Sequence, residues 1–286
     1  MSANKSTWLV CRFYLGILVL ASAANGGETN APGLILIDDM LPGRGALAGC
    51  GFDPATERIW VYAANSDDLR SYTKDGRLVG SVPRPGEKAD DVDIEIAPEP
   101  LALGSTAVPS GTVLFINGET GPAEIYAVNA SNGVVIATLR TEFGVSHVVG
   151  GAYHPGRDTF FLVQDCAPAA GERNRIAEID PANGKVLNSF SIEPFFSVGA
   201  GDVEVDASSG HLFVVSSVES RIAEFTPTGE LVKHLKLPGG VSKLSGIGMD
   251  EARGEVWVSG KGGTVWHVGG LPAGAPHDRG SSTSPR

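Results

Sequence analysis

One segment recurs five times along this chain, each time as an apolar strand, a turn, a second apolar strand and then polar residues. The copies fall at residues 48–62, 92–98 with 112–116, 149–163, 201–215 and 245–258. Self-similarity at this period means one supersecondary unit copied around an axis, because each unit can bury its apolar faces only against a neighbour. The architecture expected is therefore all-β, a β-propeller of five four-stranded blades. Six is the alternative if the inserts around residues 98–111 or 165–175 build another blade. Their Pro, Gly and Ala content reads as loop.

Within a unit the grammar is regular. In the fourth, residues 202–205 form the inner strand, 211–215 the second and 221–225 the third. The turn Thr226-Pro-Thr-Gly229 then leads to an outer strand at 231–237. Pro presets the turn and Gly supplies its positive φ. Second strands such as Val113-Leu-Phe-Ile116 and Phe160-Phe-Leu-Val163 are apolar on both faces, as a sheet packed between two others requires. The fifth unit stops after its third strand, at 264–268. The apolar stretch 33–37 has no partner in the first unit, so it is expected to supply the missing outer strand. Closing the ring in this way removes exposed edges.

The first residues read differently. Lys5 and Arg12 precede an apolar run at 13–20 and then Ala21-Ser-Ala-Ala24, the pattern of a secretory signal peptide. The run is shorter than the roughly 20 residues of a membrane span. The expected organisation is a signal peptide at 1–24, a propeller at 25–272 and a disordered tail at 273–286, in a secreted or periplasmic protein. Loss of Lys5 and Arg12 with no acid changes the net charge from −11 to −13. So acidic a chain is a poor partner for nucleic acid and a reasonable one for cations. Cys50 and Cys166 remain in the mature chain, either as a disulfide or as two small buried hydrophobes.

Side-chain alternation along the inner strands assigns one parity to the central axis. There the first, third and fifth units place Gly49 and Gly51, Gly150 and Ala152, Gly246 and Gly248. The second and fourth place carboxylates: Asp93 and Glu95, Asp202 and Glu204. Two carboxylates about 8 Å apart at an effective dielectric near 20 repel by roughly 2 kcal/mol. Water in a channel, protonation or a bound cation must relieve four of them. An oxygen-only set of this size fits Ca²⁺ better than Zn²⁺, which makes these four residues the candidate metal ligands. The loops at the same end carry Asn65, Asp67, Asp68, Asp90, Asp91, Asn117, Glu119, Thr141, His147, Gln164, Asp165, Glu219 and Lys261. Such a polar rim suits a small-molecule, carbohydrate or protein ligand. His147 is the one rim histidine and hence the candidate general base, with Asp165 as a candidate helper.

The stretches at 201–232 and 244–268 resemble secreted bacterial propellers of the broad NHL/YVTN-repeat, phytase-like and gluconolactonase-like groups, which read D-x-E-G-I-A-x-D-x-x-x-G-x-L-x-V-V-S over one blade. The resemblance implies a propeller and assigns the Asp and Glu of D-x-E to the channel or to calcium, at Asp202/Glu204 and Asp93/Glu95. Gly-Ile-Ala is replaced by Val205-Asp-Ala207 and by Ile96-Ala97, and a full lactonase metal set does not align. Two functions are compatible with this pattern. One is a calcium-supported binding module. The other is a metal-dependent hydrolase of an ester, lactone or phosphoester.

Overall fold

A computed structural model describes residues 33–41, 45–167 and 171–273. The expected signal peptide at 1–24 lies outside the described residues, as does the expected tail from residue 274 onward.

The repeated units become antiparallel sheets. The first consists of Leu47–Asp53, Arg58–Ala63, Asp68–Thr73 and Leu78–Pro83, paired in that order. The second is Val92–Ile96, Val113–Thr120, Glu124–Val128 and Val135–Arg140. The third is Ser146–His154, Thr159–Gln164, Arg175–Ile179 and Val186–Ser191. The fourth is Gly201–Asp206, His211–Ser216, Arg221–Phe225 and Leu231–Lys236. The fifth takes Leu244–Asp250, Glu255–Gly260 and Val265–Gly269 from the end of the chain and its outer strand, Ile35–Met40, from the beginning. Ile35 pairs with Gly269 and Met40 with Val265, across an irregularity at Ile37. The closing strand is thus longer than the apolar stretch that announced it, and takes in Asp38, Asp39 and Met40.

Hydrophobic packing follows the ring. One apolar cluster lies between each pair of neighbouring sheets. Ile94 and Phe115 meet Trp60 and Tyr62 between the first two. Ile116 and Ile125 meet Phe160 and Leu162 between the second and third. Phe161 and Val163 meet Val203 and Val214 next, and Val215 and Ile222 then meet Ile247 and Val258. The circuit is completed where Trp257, Val265 and Met40 pack on Cys50, Phe52 and Tyr72 of the first sheet. Each sheet therefore buries both faces, which is why the second strands carry no polar parity in their centres.

Two features depart from expectation. The insert at 98–111 contains a hairpin, Leu101–Leu103 with Thr106–Val108. Leu101, Leu103 and Val108 are buried against Leu139, Tyr153 and Phe160, and the Gly104 amide donates to Pro181 O at 2.7 Å. Prolines and glycines around it hid a short period-two alternation. The second departure is a bridge between sheets: Thr120 pairs with Ser146 and Gly118 with Val148, joining the second and third sheets into one. No helix of the described residues is long and apolar enough to cross a membrane. Cys50 and Cys166 are not joined to each other: Cys50 donates to Trp257 O at 3.4 Å in the core, while Cys166 sits in a rim loop.

The inner strands of the fifth and first sheets touch backbone to backbone. A Cβ on Gly246 would lie 2.4 Å from Cys50 N and 2.8 Å from Gly49 Cα. Neither backbone can yield without moving a sheet, so Gly246→Ala is expected to cost about 1–3 kcal/mol or more in urea denaturation. Gly262→Ala, where nothing lies within 4 Å of the new methyl, is expected to stay within about 0.5 kcal/mol.

Candidate functional site

The axis is filled rather than hollow. Asp93, Glu95, Asp202 and Glu204 point inward from the second and fourth sheets and are each at most 8 % exposed. They meet across the face of the third sheet, which offers Gly150 and Ala152 there. A Cβ on Gly150 would fall 2.2 Å from Asp202 Oδ1, so glycine at that position is what lets the carboxyl through. Asp93 is hydrogen-bonded to Asp202, and Glu95 to Glu204. The open, glycine-walled channel expected from alternation is therefore corrected. Small residues let neighbouring strands and carboxyls close on one another.

Electrostatics follow from that closure. Burial pushes Asp93 up to about 7, against hydrogen bonds from the Ile94 and Gly151 amides and to Asp202 that pull it down. Burial likewise raises Glu204 to about 8, and lifts Glu95 and Asp202 well above the carboxylate range, helped by Glu204 and Asp93 respectively. Burial and the neighbouring carboxyl both favour the protonated form within each pair, because two charges in contact inside a dry core are costlier than one. Backbone amides take up much of what remains. Ile247 N donates to Asp202 Oδ2 at 2.9 Å, Val203 N to Asp202 Oδ1 at 2.6 Å and Val205 N to Glu204 Oε1 at 2.9 Å. Asp93 Oδ1 is buried with no hydrogen-bond partner.

One step further along the same strand parity, at the loop end, Asp91 extends the acidic column to the surface. His147 Nδ1 lies 2.5 Å from Asp91 Oδ2 and 3.7 Å from Asp165 Oδ2. Ligand atoms of Asp91, His147 and Asp165 all lie within 4.8 Å of one another, as do those of Asp90, Asp91 and Glu119. Glu119 Oε2 accepts the amides of Asp90 and Asp91 at 2.9 and 3.0 Å, and Lys261 Nζ reaches Asp90 O at 3.3 Å from the fifth sheet. Burial raises Asp90, and its hydrogen bond to Glu119 raises it further.

His147 sits at φ 56°, a backbone conformation rare for a residue with a side chain. The Asp91 carboxylate beside it lifts its pKa to about 9, with Asp165 and Glu119 adding to the effect against burial. The shift favours the protonated ring near neutrality. Asp165, pushed up to about 7 chiefly by burial, is the group that titrates near neutrality. The two candidates from the rim are thus brought together. Asp91 stood in the sequence only as one rim acid among several. Its signal was the run Asp91-Val-Asp-Ile-Glu95, which carries the axial alternation one residue beyond the strand. His154 and His211, by contrast, are tied into the fold. The first contacts Gly210 O at 3.2 Å and the second Glu224 Oε1 at 2.6 Å.

For every raised group the sign is the same. A folded pKa above the unfolded value of about 4 for carboxyls or 6.5 for histidine gives stability that is complete below the unfolded pKa and lost as pH rises through the folded one. With Asp93 and Asp165 near 7, Glu204 near 8 and His147 near 9, the melting temperature is expected to fall steadily from pH 5 to pH 9. The drop should be on the order of 10 °C, at about 2–4 °C per kcal/mol for a chain of this size. Asp93→Asn should flatten the profile in calorimetry at both ends of that range. A slope unchanged by this substitution would remove the axial carboxyls as its source.

Comparison with known proteins places this geometry. A model of the SdiA-regulated family matches residues 39–261. No match to a curated protein sequence was found. Among solved structures, glutaminyl cyclase from Myxococcus xanthus superposes with a TM-score of 0.57 at 12 % identity, covering 82 % of this chain and 95 % of that one. A gluconolactonase from Xanthomonas campestris gives 0.50 at 19 % identity over 81 % and 80 % of the two chains. A luciferin-regenerating enzyme gives 0.52 at 14 % identity over 81 % and 94 %. At these identities the likeness is one of propeller fold, and the family assignment rests on the sequence itself: the chain belongs to the SdiA-regulated family.

Proposed function

We propose that this chain is a secreted or periplasmic binding propeller that holds a divalent cation at its loop-rich mouth and through it a small molecule, carbohydrate or protein. The observation that carries this reading is the convergence of Asp91, His147 and Asp165 from two sheets onto one half-exposed point. Two carboxylates and one imidazole form a mixed oxygen and nitrogen set, which suits Mn²⁺ or Zn²⁺ ahead of Ca²⁺. The metal would displace the His147 proton, because a coordinating imidazole must be neutral.

Calcium on Asp93, Glu95, Asp202 and Glu204 is the weaker assignment. Calcium takes about six to eight oxygens. Here the carboxyls are spent on one another and on backbone amides, with Asp93 Oδ1 left over. A cation there requires both pairs to part and lose their protons.

Hydrolysis of an ester, lactone or phosphoester is the rival use of the same mouth. It is favoured by the placement of the buried Asp165 carboxyl 3.7 Å from His147, where burial raises its pKa and suits a proton acceptor.

Calorimetric titration of the chelator-stripped mature protein should show one equivalent of Mn²⁺ bound, more tightly at pH 8.5 than at pH 6.5. Affinity should fall at least tenfold in Asp165→Asn and His147→Gln. Absence of binding by Mn²⁺, Zn²⁺ and Ca²⁺ alike would end the cation reading. Turnover of an aryl ester, an aldonolactone or an aryl phosphate by the loaded protein, lost in Asp165→Asn, would instead select the hydrolase.

A further inference from the structure

The bridge between the second and third sheets has a chemical result at the mouth. Gly118 pairs with Val148 and Thr120 with Ser146, so the two residues between them, Glu119 and His147, lie directly across from each other. The approach is close: a Cβ on Gly118 would meet Val148 O at 2.2 Å and Val148 Cα at 2.7 Å. Only glycine permits it. His147 takes its positive φ in the middle of this pairing, which turns its ring toward Asp91 rather than along the strand. On the opposite side, Glu119 does not reach His147 with a hydrogen bond of its own. Its Oε2 instead accepts the consecutive amides of Asp90 and Asp91, and its own amide is held by Asn117 Oδ1 at 3.2 Å.

We propose that Glu119 is a positioning residue of the mouth. Clamped opposite His147 by the inter-sheet bridge, it fixes the backbone at Asp90–Asp91 and so aims the Asp91 carboxylate at the imidazole. This deepens the cation reading and rests on it for the identity of what is bound, though not for the clamp itself. A carboxylate on two successive N–H groups is a strong, charge-assisted arrangement. Groups that orient a metal ligand in this way commonly alter affinity about 10–100-fold when removed. Seam and site are also linked thermodynamically. A cation that binds only the assembled mouth stabilises the bridge, and a loosened bridge weakens the cation by the same factor.

The test compares wild type, Glu119→Gln and Glu119→Ala in the full mature chain by amide hydrogen exchange, by the His147 ring resonances and by Mn²⁺ titration. Glutamine keeps an oxygen acceptor for the two amides and alanine does not. Expected for alanine are exchange at Asp90 and Asp91 at least tenfold faster, displaced His147 resonances and Mn²⁺ affinity at least tenfold weaker. Glutamine is expected to retain the protection and to bind Mn²⁺ within about threefold of wild type. Unchanged exchange in the alanine variant overturns the clamp. Protection retained in glutamine with affinity as poor as in alanine overturns the positioning role and makes Glu119 a ligand by charge. If wild type binds no metal, the cation reading falls alone, and exchange together with the ring resonances still decides the clamp.

Discussion

Five inner strands converge on one line, and what fits on that line governs everything around it. Where two strands both lack side chains, as at Gly246 against Gly49, the backbones touch and the sheets close. Where the second and fourth sheets carry acids, the same closeness forces carboxyl onto carboxyl. A wider ring would leave water between these groups and ordinary acidity. The narrow one buries all four carboxyls and raises their pKa values. The axis therefore behaves as a polar core with its own satisfaction rules, in which most oxygens find an amide or another carboxyl.

The mouth continues that column into contact with solvent. Asp91 follows the alternation of Asp93 and Glu95, but at its height the third sheet supplies His147 in place of a glycine. The Asp91 carboxylate meets an imidazole there instead of a second carboxyl. Moving one step along a strand thus replaces a carboxyl–carboxyl contact with a carboxylate–imidazole one. The bridge at Gly118 and Val148 sets the geometry of that change.

Much of this was legible in the residues. The repeat, the five strand grammars and the strand at the chain's beginning that completes the last sheet all followed from period-two apolarity and Pro-x-Gly turns. Those signals are local and depend on no distant partner. The inward aim of Asp93, Glu95, Asp202 and Glu204 followed from the same alternation. What alternation cannot convey is distance across an axis, so a tunnel was expected where the carboxyls interlock. Nor does it convey pairing between units. The alignment of Glu119 with His147 depends on a bridge of two residue pairs whose only trace is a glycine at 118. The ion pair of His147 escaped sequence reading for a related reason: a ring nitrogen's basicity depends on its neighbour, and Asp91 lies far from it in sequence.

The strand that completes the fifth sheet has a consequence for how the molecule comes into being. Residue 35 must wait for residue 269, its partner across the fifth sheet. Until then the strand Ile35–Met40 has an unpaired edge, and Ile35, Leu36 and Ile37 stay exposed even in the closed ring. Loop closure over nearly the whole polypeptide is slow relative to the local hairpins that precede it. Four sheets can therefore form in order of emergence while the ring stays open. Its closure follows the emergence of the last sheet, and anything that captures that early apolar edge competes with it.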